Sequence, residues 1–118
     1  MGFVHVTVQV SSPSNPQEER EIELLVDTGA ILSVIPRQML EERGVPALGS
    51  RRFRGFGGVP QRDTAALLIR YNGDVTGTTA IFGEADDTPI LGVTALGSLG
   101  YQVDPTSGEL KPTDLLLL

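Results

Sequence analysis

Apolar and polar residues alternate with a period of two over much of the chain. Val4, Val6, Val8 and Val10 are separated by His5, Thr7 and Gln9, the pattern of a strand with one face buried. Ser11 to Gln17, with Pro13, Asn15 and Pro16, predicts a loop. A second strand is expected from about Arg20 to the unbroken apolar run Leu24-Leu25-Val26, which reads as a strand buried on both faces. Asp27-Thr28-Gly29 interrupts that run, and Leu32 to Ile35 resumes the extended apolar character. Pro36 suits the first position of a short helix, where its missing N–H costs nothing. Met39 and Leu40 give that helix a buried face, and Gly44 gives it a stop.

Strands are expected again over Arg51 to Phe56, Gln61 to Tyr71 and Val75 to Phe82. Asn72-Gly73 is a strong hairpin signal, because both residues tolerate positive φ. Gly55, Gly57 and Gly58 mark another turn, flanked by Phe56 and Val59. Beyond an acidic loop, Glu84 to Thr88, the segment Pro89-Ile90-Leu91-Gly92 predicts a short buried strand. Val93 to Leu99 then predicts a second helix closed by Gly100. Tyr101 to Val103 and Glu109 to Lys111 flank a turn at Asp104-Pro105-Thr106-Ser107-Gly108. Many short strands with glycine turns and two brief helices predict a mainly β protein, a closed or partly closed barrel, in one domain over 1–118.

Composition narrows the chemistry. Lys and Arg number 9 against 15 Asp and Glu, a net charge of −6, which argues against nucleic acid as a partner. No cysteine is present, so disulfides, thiolate nucleophiles and cysteine-ligated zinc are excluded. His5 is the single histidine, alternates with the valines and is expected to face solvent without a catalytic role. Asp86-Asp87 is too isolated for a metal site, and no cofactor is expected. The longest wholly apolar stretch, Leu115 to Leu118, falls far short of the ~20 residues a bilayer helix needs. Met1-Gly2 resembles a myristoylation start, but Val6 stands where that signal wants Ser or Thr. With no signal-peptide pattern either, no membrane association is expected and the protein is expected to be cytoplasmic.

Carboxylates, hydroxyls and backbone remain as catalytic tools, and Asp27 stands out among them. A carboxylate directly after a buried apolar run costs free energy unless partners satisfy it. Thr28 brings a hydroxyl, and Gly29 lets the backbone turn with its N–H close to the carboxylate. A plain β-turn explains the same three residues, and such a tripeptide arises by chance in roughly a few per cent of chains this long.

The surroundings of the tripeptide favour the functional reading. Leu24-Leu25-Val26-Asp27-Thr28-Gly29-Ala30, then Ser33 and Ile35, then Ile90-Leu91-Gly92 with a helix behind it, resembles the retropepsin-like aspartic proteases. The likeness is greatest to the small bacterial single-domain members, and it spans nearly the whole chain. Gly55-Phe56-Gly57-Gly58-Val59 occupies the place of that family's flap hairpin. The resemblance implies a retropepsin-like closed barrel with a flap, acting as an aspartic endopeptidase. Asp27, Thr28 and Gly29 would be catalytic, with Thr28 hydrogen-bonding across a two-fold axis. Ala30 and Gly55, Phe56, Gly57, Gly58 and Val59 would meet the substrate, and Ser33, Ile90, Leu91 and Gly92 would support the site. The chemistry needs two carboxylates sharing a proton. Asp63-Thr64-Ala65 and Asp87-Thr88-Pro89 lack the glycine, so one D-T-G per chain implies a homodimer acting on peptide or protein.

One departure is Thr94, where many relatives carry Asp or Asn that braces the loop. It keeps open an alternative, a catalytically weak retropepsin-like dimerisation or peptide-binding module. An unrelated small barrel with a chance D-T-G is the third reading. Leu115 to Leu118 are expected either to form an interface strand or to cover the chain's own barrel. Arg51, Arg52, Arg54 and Arg62 are read as a solvated flap surface, or else as a preference for acidic substrate residues.

Overall fold

The structure, a computed structural model, describes residues 3–55, 58–115 and 117. Strands β1 (His5–Ser12) and β2 (Asn15–Val26) form a hairpin in which His5 pairs with Leu25 and Val10 with Arg20. The alternation works as expected: Val6, Val8 and Val10 are buried while His5 and Thr7 are exposed. The expected loop from Ser11 to Gln17 shrinks to Pro13-Ser14, and β2 begins well before Arg20. The register shift between Val10 and Ser12 takes up the irregularity that Pro13 and Pro16 signal, so pairing resumes at Ser12 with Asn15. Of the apolar run, only Leu24 is fully buried, and Leu25 and Val26 are half-buried.

Strand β3 (Ser33–Pro36) leads into helix α1 (Arg37–Glu42), with Pro36 as its N-cap rather than its first turn. Met39 and Leu40 are its buried residues, and Gly44 follows at φ 69°, the left-handed conformation that ends a helix most cheaply in glycine. Strand β4 (Gly49–Arg52) is shorter than the expected Arg51 to Phe56 run and starts earlier. It pairs with β5 (Gln61–Tyr71), from Gly49 opposite Thr64 to Arg52 opposite Gln61. Asn72 and Gly73, at φ 52° and 87°, turn β5 into β6 (Asp74–Gly83), as the dipeptide predicts. Strand β7 (Ile90–Leu91), helix α2 (Val93–Leu99), and the hairpin of β8 (Tyr101–Asp104) with β9 (Glu109–Pro112) complete the order.

The main sheet runs β1-β2-β7-β3-β6-β5-β4, and a further pairing of β1 with β5 closes it on itself. Inside lies one cluster built from the valines of β1, Leu24, Ile35, Leu67, Ile69, Phe82 and Leu91, capped by Leu40 and Leu96 of the two helices. Burying each such side chain stabilises the fold by roughly 1.5–3 kcal/mol. Tyr101, at the margin of this cluster, stands edge-on to Tyr71 at 5.1 Å. Its hydroxyl donates to Asp74 Oδ2 at 3.0 Å and accepts from Asn72 Nδ2 at 3.2 Å, tying the C-terminal hairpin to the β5–β6 turn.

Candidate active site

The strand order dictates where the D-T-G triplet sits. β7 is inserted between β2 and β3, parallel to the first (Val26 opposite Leu91) and antiparallel to the second (Val34 opposite Ile90). The loop 27–32, joining β2 to β3, must therefore cross over the end of β7. Backbone bonds fasten the crossing: Asp27 N donates to Leu91 O at 3.1 Å, and Ala30 N donates to Asp27 O at 3.1 Å, closing a turn. Gly29 N donates to Asp27 Oδ1 at 2.9 Å, so the carboxylate is held by its own loop. A Cβ on residue 29 would stand 3.2 Å from that same oxygen, which makes glycine the residue that lets the amide approach. Asp27 is half-buried, while Thr28 and Gly29 are exposed.

From below, the start of α2 grips the loop. Val93 N donates to Ala30 O at 2.8 Å and Thr94 N to Ile31 O at 3.1 Å, so amides that a helix start leaves unpaired are used here. Gly92 N donates to the buried hydroxyl of Ser33 at 3.0 Å. At Gly92 an added Cβ would lie 2.5 Å from the Leu32 carbonyl carbon and 2.9 Å from Ile31 O, so two backbones touch with no room between them. Loop bracing thus comes from backbone and Ser33. The side chain of Thr94, whose identity departs from many relatives, is exposed and makes no hydrogen bond among the described residues.

Asp27, Thr28, Gly29, Ala30, Ser33, Ile90, Leu91 and Gly92 accordingly form one continuous piece of structure. Gly55, Gly58 and Val59 belong to another. They lie near the end of the β4–β5 hairpin, where Phe53 N donates to Pro60 O at 2.9 Å and Gly55 bridges Gly58. Gly58 takes φ 140°, and Gly55, Gly58 and Val59 are exposed. Phe56 and Gly57, expected at the tip, lie outside the described residues. Among the described residues no hydrogen bond joins this hairpin to the D-T-G loop.

Beside Thr28 opens a groove of about 990 Å³, lined by Phe3, Val4, Val26, Val93, Leu96 and the 101–108 hairpin. Phe3 is 80% exposed. Leu115 and Leu117, 61% and 94% exposed, do not cover the chain's own barrel, and Leu116 and Leu118 lie outside the described residues.

A charged cluster at the root of the hairpin was not foreseen. Arg62, read as solvated flap surface, is bidentate to Asp87, its Nε at 2.7 Å and Nη2 at 3.0 Å from the two carboxylate oxygens. Asp87, read as isolated, also accepts Glu84 N at 2.8 Å. The Arg62 hydrogen bond, above all, holds the Asp87 carboxyl below the usual range, against the opposing effect of burial. Arg37 joins Glu84 at 2.9 Å to Asp63 at 2.7 Å and lies 4.6 Å over the Phe82 ring. These partners are 25 to 47 residues apart in sequence, so no local spacing announces them.

No protein-family model and no curated protein matches the sequence. Solved structures do. EIAV protease, in complex with an inhibitor, is 19% identical and superposes with a TM-score of 0.68, over 98% of this chain and 94% of its own. A retropepsin-like aspartic protease from Rickettsia conorii is 15% identical, with a TM-score of 0.56, over 88% and 89%. The fold is that of the retropepsins. At such identity the likeness fixes the architecture, and within the retropepsin fold the chain's single D-T-G stands on the loop that crosses β7.

Proposed function

We propose that the protein is an aspartic endopeptidase whose active site forms between two copies of the chain, each giving one Asp27. The observation that carries this reading is the coincidence of the D-T-G triplet with the β7 crossing of a retropepsin fold, where Gly29 and Leu91 hold Asp27 by its carboxylate and its amide. EIAV protease and the Rickettsia enzyme, both proteases by name, share that fold. The exposed Thr28 and the apolar groove beside it, with Phe3 at its rim, supply a surface that a second copy would bury.

Two carboxylates brought within ~3 Å cannot both ionise, so the pair holds one proton. The ionised Asp27 takes a proton from a water, whose oxygen attacks the scissile carbonyl carbon. The protonated Asp27 of the second copy gives its proton to the carbonyl oxygen, and a neutral tetrahedral diol results. Collapse of the diol breaks the C–N bond as the nitrogen gains a proton, and a diol hydroxyl returns one to the dyad. Water is the only co-reactant. Gly55 and Gly58 spend their N–H and C=O groups on each other, which leaves the exposed backbone of Val59 suited to pair with an extended peptide.

Asp27→Asn keeps the shape and the Gly29 hydrogen bond but removes the base. Cleavage of a peptide library at mildly acidic pH is expected to fall at least ~10³-fold, and an aspartic-protease inhibitor should do the same to the unmodified chain. Cleavage that survives Asp27→Asn overturns the reading.

A further inference from the structure

Cations are the minority charge in this chain, 9 against 15, and four of its eight arginines are answered by an acid nearby. Arg20 pairs with Glu42, Arg37 with Glu84 and Asp63, Arg62 with Asp87, and Arg70 with Glu19. Of the other four, Arg43 is half-buried beside helix α1, and Arg51, Arg52 and Arg54 stand together. All three are exposed, and none has an acidic partner within ion-pairing distance among the described residues. They occupy one arm of the β4–β5 hairpin, ending next to Gly55.

The register sharpens this. Arg51 stands directly opposite Arg62, a like-charge pair that a sheet disfavours, and only Arg62 is neutralised. Side chains alternate along an arm, so Arg52 and Arg54 share one face while Arg51 takes the other. Positive charge therefore lies on both faces of the hairpin, and a peptide passing along either meets it. β4 is also the terminal strand of the sheet order, with an edge open to pairing. A chain with six surplus negative charges thus places three of the four arginines unpaired among the described residues on the hairpin taken as its flap.

We infer that Arg51, Arg52 and Arg54 make the site selective for acidic peptide segments, Asp or Glu side chains flanking the scissile bond, with Arg52 and Arg54 as the specificity-determining pair. This rests on the peptidase reading, since it takes the β4–β5 hairpin as the flap of that site. Guanidinium groups so placed raise the local concentration of anionic peptide and bind its carboxylates, an effect that salt screens. Three arginines on a strongly acidic chain are too few for a nucleic-acid surface.

The test uses two peptides that differ only in Asp and Glu against Asn and Gln around one cleavable bond. For the unmodified chain at low salt, kcat/KM is expected to favour the acidic peptide on the order of tenfold, with the ratio shrinking as salt rises. In Arg52→Gln/Arg54→Gln the ratio should approach one. In Arg52→Glu/Arg54→Glu it should fall below one, and a third peptide with Lys at the same positions should be cleaved best. Both peptides cleaved with equal efficiency, or a preference that survives the double glutamine variant, overturns the proposal. Binding of the labelled peptides to Asp27→Asn separates the two levels. If nothing is cleaved yet the acidic peptide binds preferentially through Arg52 and Arg54, the peptidase reading fails and the selectivity stands. If a short single-stranded oligonucleotide binds more tightly than the acidic peptide, the patch serves another polyanion and the proposal is wrong.

Discussion

The D-T-G crossing and the β4–β5 hairpin are both assembled from distant parts of the chain, yet different forces hold them. At the crossing, Asp27 N, Gly29 N, Val93 N and Thr94 N all end on fixed oxygens, Ser33 is 1% exposed, and no space exists for a side chain at Gly92. At the hairpin, exposed residues form a short ladder, and its root is anchored by guanidinium–carboxylate contacts on half-buried side chains. Fixed backbone holds the Asp27 carboxylate closely in place, as the proposed acid–base chemistry requires. Ion pairs between long side chains fix a direction and leave freedom to move, which on the proposed reading suits an element that admits a peptide.

Substitutions should expose this difference in graded order. Gly92→Ala is expected to cost most, at or above the ~3 kcal/mol end of overpacking penalties, because the new methyl meets backbone rather than a movable side chain. Urea denaturation would measure it, and a variant as stable as the parent would show that the crossing can relax. Ser33→Ala leaves the buried Gly92 N–H without its acceptor and should cost about 1–3 kcal/mol. Peptide cleavage should weaken with it, since the loop carrying Asp27 rests on that contact.

Arg62→Ala and Asp87→Ala should each destabilise less than Ser33→Ala. Asp87→Ala should cost more than Arg62→Ala, since it also takes the acceptor from Glu84 N. The two should be non-additive in a double-mutant cycle, because one bidentate pair is removed by either. Additive losses would mean that the pair does not act as a unit. The smallest effect is a pH dependence. The Asp87 carboxyl is held below its ordinary value, so its pairing stabilises the fold above the unfolded carboxylate range near pH ~4 and is lost as pH falls through the lowered folded value. Asp87→Asn should flatten the acid limb of a Tm-against-pH curve, whereas an unchanged limb would contradict the assignment.

Much of the crossing could be read from sequence because its signals are local. An apolar run broken by Asp-Thr-Gly, a hydroxyl at Ser33, and Ile90-Leu91-Gly92 before a helix each carry their meaning in adjacent residues. Asn72-Gly73 is legible for the same reason, its two positive φ values being a property of the dipeptide. What escaped was of two kinds. Pro13, Asn15 and Pro16 suggested a long loop, but the bulge at Val10–Ser12 absorbed the disruption and the strands paired past it. The Arg37 and Arg62 clusters escaped because a charged side chain finds its partner through the fold, and nothing near Arg62 in sequence points to Asp87. Val26 is only half-buried for a related reason, since it lines the open groove beside Thr28; Leu25, on the opposite side of the strand, is half-buried away from that groove.

The central claim is that one active site takes an aspartate from each of two chains, and mixing tests it most directly. Unmodified chain is co-refolded with a ninefold excess of Asp27→Asn chain, and cleavage is expressed per unmodified chain. If the site is shared, nearly every unmodified chain is trapped with a partner lacking the base, and that activity falls about tenfold. If each chain carries a whole site of its own, activity per unmodified chain stays constant, and the shared dyad is excluded.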